Sequence, residues 1–155
     1  MSVAMTTPKI EINSARWGKL TVDPEDVIEF PRGIIGFKRY KKFAIFESED
    51  YKPFQLLISV EQENIGFVII NPFIFCPDYK PKIIPLDLKE LNIQNGDQFL
   101  IYTIVTLTSE SKQSTANLRG PIIINLEKKI GKQVVIPNEE YPIKYPIIPQ
   151  ADALN

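Results

Sequence analysis

The chain has 155 residues, 44% apolar and 24% charged, with a formal net charge of -1, which suits one folded domain and supplies no excess of Lys and Arg for nucleic acid or a membrane surface. The absence of histidine and the single cysteine, Cys76, exclude Ser-His and Cys-His nucleophile pairs, histidine-ligated metals, a cysteine-rich zinc site and an internal disulfide. The first residues lack a basic stretch followed by an apolar one, and no apolar run approaches roughly 18 residues, so a cytoplasmic protein without a membrane span is expected.

Residues 1–9 are expected to form a flexible tail, 10–149 a single domain and 150–155 a second flexible tail. Thirteen prolines are spread along the chain, and between them lie short runs rich in Ile, Val, Phe, Tyr and Thr, which is the punctuation of strands. Strands are predicted over 17–22, 27–30, 43–46, 55–60 and 66–70. Leu86, Leu88 and Leu91, with Asp87 near the start and Asn95-Gly96 beyond, predict a short helix over 86–91. Further strands are predicted over 99–107, 122–125 and 133–136. The 99–107 run is apolar on both faces, with Phe99, Ile101, Val105 and Leu107 on one and Leu100, Tyr102 and Ile104 on the other, which places it centrally. The expected fold is all-β: a small closed or partly open antiparallel β-barrel with one or two short helical turns.

Few motifs point to chemistry. In Phe30-Pro-Arg-Gly-Ile-Ile-Gly-Phe37, Gly33 and Gly36 fit a structural turn that needs positive φ, because strands rather than helices border them and Ile fills the gap. Lys38-Arg-Tyr-Lys-Lys42 is the densest basic stretch and reads as a solvated loop, with phosphate and base contact as the alternative. The acidic groups at Glu47, Glu49 and Asp50, at Glu61 and Glu63, and at Glu139 and Glu140 read as surface turns rather than catalytic pairs or metal sites. Ser109-Glu-Ser-Lys112 matches a Ser-x-x-Lys pattern without its companion motifs. Cys76, between Phe75 and Pro77, reads as a packing thiol. No catalytic, metal-binding or cofactor-binding residue is expected.

Three segments are richer. Asn71-Pro-Phe-Ile-Phe-Cys-Pro-Asp-Tyr79 is a stiff loop that caps a core or presents aromatics to a partner. In Thr115-Ala-Asn-Leu-Arg-Gly-Pro121, Asn117 fits either a local backbone bond or a partner contact. Tyr141-Pro-Ile-Lys-Tyr-Pro-Ile-Ile-Pro149 is extended, as cover for a barrel end or a docking strip.

Read in order, Phe30-Pro-x-Gly-x-x-Gly-Phe37, Pro53-Phe54, Asn71-Pro72 with Asp78-Tyr79, Thr115-Ala-Asn-Leu118 through Pro121 to Asn125, and Gln133-Val-Val135 resemble the flagellar assembly factor family, FliW. The resemblance runs from about Ile10 to Ile148. It implies a small cytosolic β-barrel that binds flagellin and, when free, the carbon storage regulator CsrA, a repressor of flagellin mRNA translation. It implies no cofactor, no direct contact with nucleic acid and no membrane. The residues expected at a partner surface are Asn71, Pro72, Phe73, Phe75, Asp78, Tyr79, Thr115, Asn117, Leu118 and Pro121. A near-neutral chain is a poor mimic of RNA phosphates, so contact with CsrA is expected outside its RNA site. Two alternatives from other classes are a flavin-binding split-barrel oxidoreductase and a stand-alone RNA-binding barrel.

Overall fold

Short branched and aromatic runs, each ended by Gly, Pro or a charged turn, form strands of two to seven residues in a computed structural model that describes residues 8–108 and 114–147. In chain order these are β1 (Ile10–Ser14), β2 (Gly18–Val22), β3 (Ile28–Glu29), β4 (Lys42–Phe46), β5 (Gln55–Ser59), β6 (Gly66–Ile70), helix α1 (Pro85–Glu90), β7 (Leu100–Thr106), β8 (Thr115–Ala116), β9 (Ile122–Asn125), β10 (Ile130–Gln133) and β11 (Tyr145–Pro146). Short 3-10 helices cover Pro24–Asp26 and Pro72–Ile74. Most of the two expected tails, and the Ser-x-x-Lys segment, lie outside the described residues.

Seven strands close a barrel in the order β7-β6-β5-β4-β3-β10-β9, and β9 returns to β7 through Ile101↔Ile123. The neighbours are antiparallel except at β3 and β10, which meet in parallel at Glu29↔Ile130. The other half of β7 carries β8, and β8 carries β11. β1 and β2 form a separate hairpin laid on the barrel.

Both faces of the central strands are covered, which is why their sequences are nearly continuous in apolar residues. Phe30, Phe43, Leu57, Ile69, Ile122 and Ile124 fill the interior. Leu56, Ile58, Val68, Ile70 and Val105 point outward onto Ile12 and Val22 of the hairpin. Ile123 and Val134 point outward on another side, onto Tyr79, Leu91, Ile93 and Leu118. Ile122, Ile123 and Ile124 are all fully buried, and each contributes about 1.5–3 kcal/mol of apolar burial. Gly131 is required by this packing, because a Cβ there would lie 2.6 Å from the Phe30 ring.

The strand expected over 133–136 is displaced: β10 runs Ile130–Gln133. Beyond it, the N–H groups of Val134 and Ile136 donate to Pro121 and Arg119 carbonyls, but Pro121 has no N–H to return, so a regular ladder stops. β1, β8 and β11 were not among the predicted strands. The predicted helix forms as α1, shifted by one residue.

Candidate functional site

Segment 71–79 is stiffened from within. The Asn71 side-chain oxygen accepts the Phe73 N–H at 2.9 Å and caps the 3-10 helix, whose first residue is the buried Pro72. The Cys76 N–H donates to the Pro72 carbonyl at 2.9 Å and the Tyr79 N–H to the Cys76 carbonyl at 3.0 Å. Phe75 lies 5.6 Å from the Tyr145 ring, and Tyr79 meets Tyr141 edge-on at 4.7 Å. Tyr79 is buried and its hydroxyl donates to the Leu118 carbonyl at 2.5 Å. Burial, with help from Tyr141 and Cys76, pushes its phenol well above the ordinary value of 10.0.

Segment 115–121 is tied by its own side chains. The Asn117 side-chain oxygen accepts the N–H groups of Arg119 at 3.1 Å and Gly120 at 2.9 Å. The Arg119 guanidinium donates to the carbonyls of Tyr141 at 2.9 Å and Glu139 at 2.8 Å. The Leu118 N–H donates to the Pro142 carbonyl at 3.2 Å. Gln133 donates to the Gly120 carbonyl at 3.0 Å. Thus segments 71–79, 115–121 and 141–147, far apart in sequence, meet on one flank of the barrel.

Within that flank the candidate residues divide by exposure. Pro72, Tyr79, Leu118 and Pro121 lie in the interior. Phe75, Thr115 and Asn117 are half-buried, and Asn71, Phe73 and Asp78 are exposed. Asn71 and Phe73 also line a cavity of about 1080 Å³ at the barrel end where β6 stops and β7 begins, together with Phe99, Tyr102 and Leu126. Leu126 was not singled out in the sequence, although an apolar residue in a turn between two strands is the signal that marks it. Tyr102 is raised above the ordinary phenol value by burial, opposed by a hydrogen bond from Gln55 and reinforced by Glu47.

The glycine turn and the carboxylates serve local structure. Gly33 and Gly36 both have positive φ, +65° and +89°. Glu61 accepts the N–H groups of Lys41 and Lys42, Glu47 accepts Gln55, and Glu49 pairs with Lys52. Cys76 is half-buried beside the packed group that includes Tyr79, Leu91 and Leu118. Lys132 joins Asp87 at 2.5 Å and Glu90 at 2.7 Å, and Arg32 joins Glu90 at 2.7 Å, which fastens α1 to the barrel. Among the described residues no group of Cys, Asp and Glu is placed to hold a metal ion, and no helix is long and apolar enough to cross a membrane.

A small closed barrel with stiff aromatic loops on one flank and a broad cavity at one end is a binding scaffold in its construction. Comparison makes the assignment specific: the family model described as FliW protein matches residues 11–147. The chain belongs to the FliW family, whose members are flagellar assembly factors. It is 40% identical over 138 residues to the flagellar assembly factor FliW of Clostridium tetani, covering 89% of this chain and 95% of the relative. It is 39% identical over 131 residues to that of Clostridium beijerinckii, covering 84% and 93%. A crystal structure of the flagellar assembly factor FliW superposes with a TM-score of 0.80 at 34% identity, over 90% of this chain and 98% of that one.

Proposed function

We propose that this chain is a non-enzymatic flagellar assembly factor that binds flagellin in the cytoplasm and, when free, binds and antagonises the translational repressor CsrA. Departure of flagellin into the growing filament frees the chain, CsrA is drawn from flagellin mRNA, and synthesis resumes. The observation that carries this reading is the family match across 11–147. The exposed rim of the joined flank, with Asn71 and Phe73 at the end cavity and Asp78 exposed on the same loop, offers aromatic and polar groups on a stiff base, which lowers the entropy lost on docking a protein partner. With a net charge of -1 the chain has little of the dense negative charge that imitation of RNA requires. CsrA is therefore contacted outside its RNA site and loses RNA affinity through coupling.

The test is a titration of labelled flagellin leader RNA bound to purified CsrA with this chain. The expected result is a detectable ternary complex and a rise in apparent RNA dissociation constant that saturates. A rise in strict proportion to added chain, with no ternary complex, refutes the coupled mode. Failure of both flagellin and CsrA to bind refutes the function.

A further inference from the structure

The glycine turn and the basic stretch after it are unused by that reading. They sit at the barrel end opposite the Phe73 cavity, where β6 begins and β7 finishes. The Phe37 N–H donates to the Ile34 carbonyl at 2.6 Å, closing a β-turn with Gly36 left-handed at its third position. A Cβ on Gly33 would lie 2.5 Å from the Lys38 Cα, so the loop folds tightly on itself. Ile35 occupies the turn's second position, where nothing in the turn requires an apolar residue, and is 53% exposed. It is nevertheless held in place, since its N–H donates to the Gln133 side-chain oxygen at 3.0 Å.

The turn borders a groove of about 270 Å³ lined by Ile35, Phe67, Ile104, Ile143 and Lys144, and by Asn117, through which it adjoins the flank described above. Ile143 is 58% exposed; Phe37, 39% exposed, meets Phe67 edge-on at 5.2 Å. Exposed aliphatic and aromatic groups gathered in this way mark interaction sites. The charged residue that lines the groove and the two that follow Phe37 are basic. Lys144 lines the groove, Lys38 and Arg39 follow Phe37, all three are exposed, and among the described residues none has an acidic partner. No acidic residue lines the groove.

We propose that this groove is a second docking surface, one that takes an acidic amphipathic helix of a protein partner. Its apolar face rests on Ile35, Phe37 and Ile143, and its carboxylates face Lys38, Arg39 and Lys144. Strand addition does not suit the site, because the Ile104 carbonyl already accepts the Asn117 N–H at 3.0 Å. Nucleic acid suits it less well. Tyr40 packs toward the barrel interior instead of offering a stacking face, the Lys41 ammonium donates to the Pro31 carbonyl, and exposed Ile35 and Ile143 gain nothing from phosphates. The inference does not depend on the assignment of flagellin and CsrA.

The test uses a fluorescein-labelled helical peptide with Leu at i, i+3, i+4 and i+7 and Glu on both flanks, titrated into the full chain and followed by anisotropy. Amide spectra of the 15N-labelled chain locate the site. Shifts are expected at 33–39 and 143–144, with binding that weakens as salt rises. Replacing the Glu residues of the peptide by Lys, or introducing Ile143→Ser, weakens binding by roughly tenfold, and Lys38→Glu and Lys144→Glu each weaken it by roughly threefold, with unchanged melting temperature. Equal affinity for the two peptides, shifts confined to other surfaces, affinity unaffected by the substitutions, no binding at about 1 mM peptide, or tighter binding of a single-stranded RNA oligonucleotide overturns the proposal.

Discussion

Tyr79→Phe tests the joint between the three segments that build the candidate flank. The substitution leaves the ring, and hence its contact with Tyr141, in place and deletes a hydroxyl that donates to the Leu118 carbonyl at 2.5 Å. Tyr79 is 2% exposed and Leu118 fully buried, so water cannot replace the lost donor without opening the flank. A buried acceptor stripped of its partner costs about 1–3 kcal/mol. A domain of this length loses about 2–4 °C in melting temperature per kcal/mol, so about 2 kcal/mol lowers it by about 4–8 °C. The measurement is paired thermal and urea unfolding of the wild type, Tyr79→Phe and Tyr141→Phe. Tyr141 is the control, because its hydroxyl serves only more exposed backbone groups, the Lys80 N–H at 2.8 Å and the Asp78 carbonyl at 3.5 Å. A second readout is alkaline pH. The Tyr79 phenol is raised above 10.0 in the folded chain, so the stability tied to its neutral form is complete below that value and is lost as pH rises above it; Tyr79→Phe reduces that alkaline decline. A loss smaller than about 0.5 kcal/mol, or equal losses in the two variants, refutes the view that this bond fastens the flank.

The other predictions concern single joints. Asn117→Ala removes the acceptor for two backbone N–H groups and costs about 1–2 kcal/mol in urea unfolding; unchanged stability with weakened partner binding makes Asn117 a contact residue instead. Gly33→Ala meets the Lys38 backbone at 2.5 Å from a residue at φ +65°, so a loss of at least about 3 kcal/mol, or failure to fold, is expected in thermal melts. Lys129 holds a φ of 55° in the β9–β10 turn, and Lys129→Gly raises stability by about 1 kcal/mol. Glu90 lies below its ordinary 4.5 through hydrogen bonds from Lys132 and then Arg32. Lys132 is pushed down by burial but raised above 10.5 on balance by Asp87 and Glu90. The stability from this cluster is therefore present at neutral pH, lost as pH falls through Glu90's depressed range, and lost again as pH rises above 10.5; Lys132→Met costs about 2 kcal/mol at pH 7 and flattens the acid arm of the unfolding profile.

Much of the barrel is legible because its strands carry their own boundaries. β6 and β9 form as predicted, since Gly66 and Asn71-Pro72 bracket one and Pro121 and Asn125 bracket the other. β7 reads as central for a reason the fold supplies: Leu100, Tyr102 and Ile104 face the interior while Ile101 and Val105 meet two different outer layers. β1 carries only Ile10 and Ile12 between polar neighbours, and its role appears once the outward faces of β4 to β7 need cover. β8 and β11 are two residues each, too short for any period to register. The displaced β10 reflects a tertiary effect, because Val134 and Ile136 have high strand preference but face a segment interrupted by Pro121. At the candidate flank the density of aromatic, proline and asparagine residues was visible, yet their division was not. Pro72, Tyr79, Leu118 and Pro121 look the same in sequence as Phe73 and Asp78, and only packing separates the interior from the rim.

Exchange between two protein partners is measured by preforming the complex of this chain with CsrA and adding purified flagellin during size-exclusion chromatography with light scattering. Flagellin is expected to displace CsrA, giving a flagellin complex and free CsrA in proportion to added flagellin. Retention of CsrA in one particle with flagellin, or no complex with either protein, contradicts the exchange.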